Sequence, residues 1–163
     1  MQQKETDNSF EFPDISTLPS TGRILAIDPG TKRVGVAVSD ELRVVATPLS
    51  ALEKTSWKKL LTDVRAVIAK FDAVLLVVGL PLNTDGSEST MSELARDWAW
   101  KFSLSLDMPI VLQDERVTSY EARRRLWDER ITPRETRKLI DSQAAAVILG
   151  DFLDRISSDQ KPN

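Results

Sequence analysis

The chain has no cysteine and no histidine. Thiolate nucleophiles, serine–histidine–aspartate triads and histidine-ligated zinc are therefore excluded. Any metal has to be held by oxygen, which favours Mg2+, Mn2+ or Ca2+ over zinc or copper. Glycine and proline are few, with 6 and 8 among 163 residues, so the chain is neither collagen-like nor a low-complexity coil. No apolar run approaches the roughly 18 residues of a membrane span. No basic start leads into an apolar stretch, so a secretory signal is not expected. An intracellular, cytoplasmic protein without a membrane partner is the expectation.

What is present fits one soluble globular domain. Apolar residues make up 41% and charged residues 29%, and 163 residues suffice for a single core but would be cramped for two. Residues 1–21 are polar and acidic with Pro13 and Pro19, and read as a disordered tail. The domain is expected over 22–157, with a second tail at 158–163. The formal net charge is −3, but eight basic residues lie between Arg116 and Lys138 against four acids, a local excess of +4 that leaves −7 for the remainder. This asymmetry suggests a face that meets phosphate, although solvated helix faces would give the same count.

The run Ile24-Leu25-Ala26-Ile27, closed by Asp28-Pro29-Gly30, reads as a buried strand ending in a turn. Strands at Val34 to Ser39 and Val44 to Thr47 follow so closely that an antiparallel meander is expected. Trp57, Leu60, Leu61, Val64, Val67, Ile68 and Phe71 recur on one helical face. Ala73 to Val78 reads as a strand buried on both faces and ended by Gly79-Leu80-Pro81. Thr90 and Glu93 are positioned as a capping box for a helix carrying Met91, Leu94, Ala95, Trp98 and Phe102. A strand at Ile110 to Gln113 comes next. Further boxes at Thr118/Glu121 and Thr132/Glu135 open a helix through about Trp127 and a last helix to about Ile156, with a break near Arg137. Two strand–helix–strand crossovers demand parallel pairing. The expected fold is therefore α/β: a mixed sheet of five strands, with a three-strand antiparallel meander plus two parallel strands, and helices on both faces.

Functional groups of such sheets gather beyond the carboxyl ends of the central strands. Asp28 closes the first strand and Asp114-Glu115 the last. Asp141 lies near the start of the final helix, in phase with the apolar stripe Ala145, Ile148 and Phe152. An acid on a buried stripe requires a partner. Each has a simpler role: Asp28 as a turn former, Asp141 paired to Arg137 or Lys138, Asp114-Glu115-Arg116 as an ion-paired strand end. Together, Asp28, Asp114, Glu115 and Asp141 suit two divalent ions, Mg2+ or Mn2+, about 3.5–4 Å apart, for in-line phosphodiester cleavage. Lys32, Arg33, Arg116, Arg123, Arg124 and Arg137 are candidates for holding the polyanion. Asn83, Asp85 and Gly86 make a turn that shapes the rim of the site. Trp57 and Trp98 lie on apolar stripes and read as core, while Trp100 and Trp127 fall off them.

The stretches RILAIDPGTKRVGVAVSD (23–40), VVGLPLNTDGS (77–87), DERVTS (114–119) and IDSQAAAVIL (140–149) resemble the YqgF family of pre-16S rRNA nucleases and Holliday-junction-resolvase-like proteins over about Arg23 to Ile156. The resemblance implies an RNase H-like fold, a bacterial cytoplasmic setting and metal-dependent cleavage at the 5′ end of 16S rRNA, with catalytic and metal-binding roles for Asp28, Asp114, Glu115 and Asp141. Many members of the wider superfamily carry an acid at the end of the fourth strand, where this chain has Gly79. The Asp114-Glu115 pair on the neighbouring strand is placed to replace it, and strand phase decides which of the two points at the metal. Partners implied are pre-16S rRNA or branched DNA. Oligomeric state is not legible, with a homodimer among the options.

Three other readings compete. Asp28-x-Gly30-Thr31 also resembles the phosphate loop of actin-like and sugar-kinase ATPases, but these close two such domains around ATP, and no Walker loop is present. A nucleic-acid-binding or regulatory module that kept the fold and lost catalysis is favoured by the missing fourth-strand acid. A two-carboxylate glycosidase has no sugar platform to support it.

Overall fold

In the computed structural model, which describes residues 13–115 and 133–159 (side chains of the second stretch from Asp141 onward), the first apolar runs form the expected meander. Strand β1 (Ile24–Asp28) pairs antiparallel with β2 (Arg33–Ser39), and β2 with β3 (Ala46–Glu53). Strands β4 (Leu75–Leu80) and β5 (Ile110–Asp114) join in parallel on the other side of β1, giving the order β3-β2-β1-β4-β5. The five strands, their mixed pairing and their helices on both faces are as the sequence leads one to expect.

Helix α1 (Trp57–Phe71) starts at Ser56, whose hydroxyl accepts from the Lys59 N–H, and stops at Asp72, which turns left-handed at φ 53°. Its predicted stripe seals one face of the sheet with α2 (Thr90–Ser105), burying Leu60, Val64, Trp98 and Phe102 beneath the two helices. Full burial of a side chain of this size contributes about 1.5–3 kcal/mol. Helix α3 (Pro133–Asp159) covers the opposite face through Ala145, Ile148, Leu149 and Phe152. Among the described residues no helix is long and apolar enough to cross a membrane.

Four local expectations shift. The third strand begins later and runs further than Val44 to Thr47. The Asp40 carboxylate accepts from the Val44 and Val45 N–H groups, so these valines form an exposed turn rather than a strand. As an edge strand, β3 tolerates Pro48, which lacks a ladder donor. Gly79-Leu80 does not end β4 but belongs to it, in register with Gln113 and Asp114. The cap of α2 falls one residue before Thr90: Ser89 and Ser92 bond reciprocally, side chain to backbone, and replace the expected Thr90/Glu93 box. The final helix begins at Pro133 as expected but runs without the break foreseen near Arg137.

Ile15 and Leu18, within the segment expected to be a tail, pack against the core under α3 from a short 3-10 turn at Ile15–Thr17. That turn's threefold repeat puts both side chains on one side. The boxes at Thr118/Glu121 and Thr132/Glu135, the helix through Trp127, and residues 1–12 and 160–163 lie outside the described residues.

Candidate functional site

Parallel strands β1, β4 and β5 end together, and β2 begins there with Arg33. Alternation along each strand decides which side chains share a face at this edge. In β1, Ile24 and Ala26 pack with α3, whereas Leu25 and Ile27 pack with α1 and α2. Asp28 therefore falls on the α3 face. In β2, Ala37 packs under α3 and Val34 and Val36 on the other side, so Arg33 and Gly35 share the face of Asp28. In β4, Val77 packs with α3 and Val78 opposite, which puts Gly79 on the α3 face as well.

The two glycines flank Asp28. Gly35 is its antiparallel partner, and Gly79 lies one step beyond the Ile27–Val78 pair on the parallel side. Neither could carry a side chain without displacement. A Cβ on Gly35 would lie 1.9 Å from the Asp141 carbonyl oxygen, so α3 crosses β2 backbone to backbone at this point. The adjacent Val36 N–H donates to the Ser142 hydroxyl at 3.2 Å, a buried bond that pins the helix there. A Cβ on Gly79 would lie 2.3 Å from Glu115 Oε1 and 2.6 Å from Ile148 Cδ1. The Glu115 carboxylate thus occupies the space that a fourth-strand side chain would fill.

Packing also separates Asp114, the last residue of β5, from Glu115, which follows it. Val111 packs under α3, and Gln113 Oε1 accepts from Arg155 of that helix at 3.4 Å. Ile110 and Leu112 pack with α1 and α2, and Asp114 follows them onto that face. Among the predicted acids, Asp141, Asp28 and Glu115 line one face of the sheet edge in that order, and Asp114 stands on the other. Among the described residues no three acids close into a ready-made metal cage.

The Asp141 carboxylate is engaged by Arg33, with Nη1 3.3 Å from Oδ2. The pairing with Arg137 or Lys138 considered from the sequence alone falls on side chains outside the described residues. Lys32 is exposed beside it, and its carbonyl accepts from the Lys54 N–H. The loop after β4 holds itself together: Asn83 Nδ2 donates to Ser87 and to the Glu88 carbonyl, and Asp85 accepts from the Ser87 N–H. Behind the loop, hydrogen bonds from Arg96 and Ser92 hold the Glu88 carboxyl below its ordinary range. Trp98 is buried against Trp57 and Phe102, as expected of core residues, and Trp100 is partly exposed. Arg116, Arg123, Arg124 and Trp127 lie outside the described residues, as does the side chain of Arg137.

Sequence reasoning passed over Gly35 and Ser142. The one signal for Gly35 was a lone glycine between valines inside a strand, which marks close approach of another backbone.

The family described as RuvX, Holliday junction resolvase, matches residues 22–155. A protein of Acidiphilium cryptum (strain JF-5) named "Putative pre-16S rRNA nuclease" is 33% identical over 149 residues, covering 91% of this chain and 94% of its own. One of the same name from Endomicrobium trichonymphae is 39% identical over 139 residues, covering 85% and 99%. Among solved structures, Thermus thermophilus RuvC in complex with a Holliday junction substrate has a TM-score of 0.50 at 15% identity, covering 84% of this chain and 97% of that one. That likeness shows a shared fold.

Proposed function

The chain belongs to the RuvX family, and from that premise we propose that it is an endonuclease that hydrolyses phosphodiester bonds in structured nucleic acid with the help of divalent metal, processing the 5′ end of pre-16S rRNA. The observation that carries the reading is the row of acids on one face of the sheet edge, with Asp28 between the Asp141 position and the Glu115 carboxylate. Its donors are carboxylate oxygens alone, which fits Mg2+ or Mn2+, and two ions suit such a set. Asp28, Glu115 and Asp141 would hold them, with Glu115 supplying the carboxylate that Gly79 lacks. Asp114 then supports the strand end from the opposite face. When bound, the ions stabilise charge on both the attacking and the leaving oxygens of an in-line displacement.

The chain's own groups position the substrate. Lys32 and Arg33 enter β2 beside the acids and would hold the phosphates flanking the scissile bond, and the Arg-rich stretch from Arg116 through Arg137 would carry the rest of the strand. The pinned crossing of Gly35 and Ser142 keeps Asp141 in place beneath it. Branched DNA is the second reading, favoured by the description of the family itself.

The test is cleavage of a labelled precursor 16S 5′-end RNA and a four-way DNA junction by the unsubstituted chain and Asp28→Asn, with Mg2+, Mn2+ or EDTA. The expected result is RNA cleavage that needs metal and disappears with Asp28→Asn. Cutting of the junction alone would transfer the assignment to branched DNA. Intact substrates in every condition, with binding retained, would make the protein a non-catalytic module.

A further inference from the structure

The contact between Arg33 and Asp141 joins residues 108 positions apart and puts a cation where the acidic row would take a metal. We propose that Arg33 is the site's built-in counter-ion: it holds Asp141 while no divalent ion is present, and turns to a substrate phosphate once an ion takes that carboxylate. The proposal rests on the reading of the site given above and adds an order to its loading.

Three observations carry it. First, Arg33 starts β2 on the α3 face, the face of Asp28, Gly35 and Glu115, so its guanidinium reaches the acidic row without any strand movement. Second, the Asp141 backbone is fixed by its contact with Gly35 and by the neighbouring Val36–Ser142 bond. The carboxylate can change partner only by side-chain rotation, while α3 stays still. Third, the pair is open to solvent, with Arg33 49% and Asp141 36% exposed. An ion pair this exposed is weak and readily displaced by a doubly charged ion.

Displacement has a direction. A guanidinium and a divalent ion repel each other and compete for the same carboxylate oxygens, so binding of one releases the other. The released Arg33 keeps a rigid fork of donors matched to phosphate oxygens, beside exposed Lys32. Metal binding thereby raises affinity for the nucleic acid, and by linkage nucleic acid raises affinity for metal.

The coupling is measurable without turnover. Binding of the four-way junction and of the precursor RNA in EDTA is compared among the unsubstituted chain, Asp141→Asn, Arg33→Ala, the double variant and Asp28→Asn. Asp141→Asn frees Arg33 without metal, so it is expected to bind about threefold tighter than the unsubstituted chain, the scale of a weak exposed pair. Asp28→Asn removes one charge from the same site without freeing Arg33, and its gain is expected to be smaller. In the Arg33→Ala background the Asp141→Asn gain should shrink to that of Asp28→Asn. In a Mg2+ titration followed by thermal unfolding, Arg33→Ala should saturate at about one third of the concentration that the unsubstituted chain needs. Equal gains from Asp141→Asn with and without Arg33 would overturn the proposal, since removal of charge alone would explain them. Absence of binding to either nucleic acid by the unsubstituted chain would overturn the site reading, and the proposal with it.

Discussion

Gly35 and Gly79 flank the same aspartate, yet the atoms where their side chains would lie differ in kind. At Gly35 the obstacle is the backbone carbonyl of Asp141 in a helix pinned by a buried bond. At Gly79 it is the end of the Glu115 side chain, with a methyl group of Ile148. A side-chain end can rotate away, whereas a helix backbone moves only as a unit. Gly35→Ala is therefore expected to destabilise the fold by about 1–3 kcal/mol, the range of overpacking. For a chain of this size that lowers the Tm by roughly 2–4 °C per kcal/mol. Gly79→Ala should cost less stability and act first on the site, because the Glu115 carboxylate has to vacate its place. Thermal unfolding together with a Mg2+ titration separates the two. A Gly35→Ala protein that melts with the unsubstituted chain would mean that α3 is not held against β2 as described.

Elements formed where their local code was complete. Helix α1 has an apolar stripe over four turns, a serine cap and a left-handed stop, and it lies where its stripe indicated. Strand β3 was half legible, because an edge strand need not alternate cleanly and its inner and outer positions are mixed along its length. The end of β4 was misplaced because Gly-Leu-Pro resembles punctuation, while Gly79 is in fact the gap that Glu115, just after β5, fills. Four acids were legible as candidates from their positions at strand and helix ends. Their division between two faces was not, since it depends on the phase of a five-residue strand that only packing fixes. Helix α3 supplies a test at this scale. Gly150 lies inside it with nothing within 4 Å of an added Cβ, so its cost is that of backbone freedom alone. Gly150→Ala is expected to stabilise the protein by about 0.5–1 kcal/mol, read in denaturant unfolding as a higher midpoint at unchanged m value. A lower midpoint would reveal packing against that position.

On the scale of the whole molecule, the proposed nuclease role requires a chain of net charge −3 to bind a polyanion locally. Acids dominate outside the stretch from Arg116 to Lys138, which carries +4, and that stretch follows Glu115 directly in the chain. The carboxylates of the site repel phosphate until cations neutralise them, so affinity has to come from groups beside them rather than from the site itself. Two groups of bases qualify: Lys32 and Arg33 at the start of β2, and the arginines beyond β5. They differ in what they contribute. Arg33 pairs with Asp141 and is proposed to couple phosphate binding to metal binding, whereas Arg123 and Arg124 are proposed to act through phosphate contacts alone, which carry no sequence information. Replacing both with alanine should weaken RNA and junction binding alike. It should also lower the slope of log affinity against log salt by about 1 for each phosphate that is no longer neutralised. Filter binding over a salt series in EDTA measures this without cleavage. An unchanged slope would place the polyanion's grip on the β2 side of the sheet edge and leave the arginines beyond β5 as solvated charge.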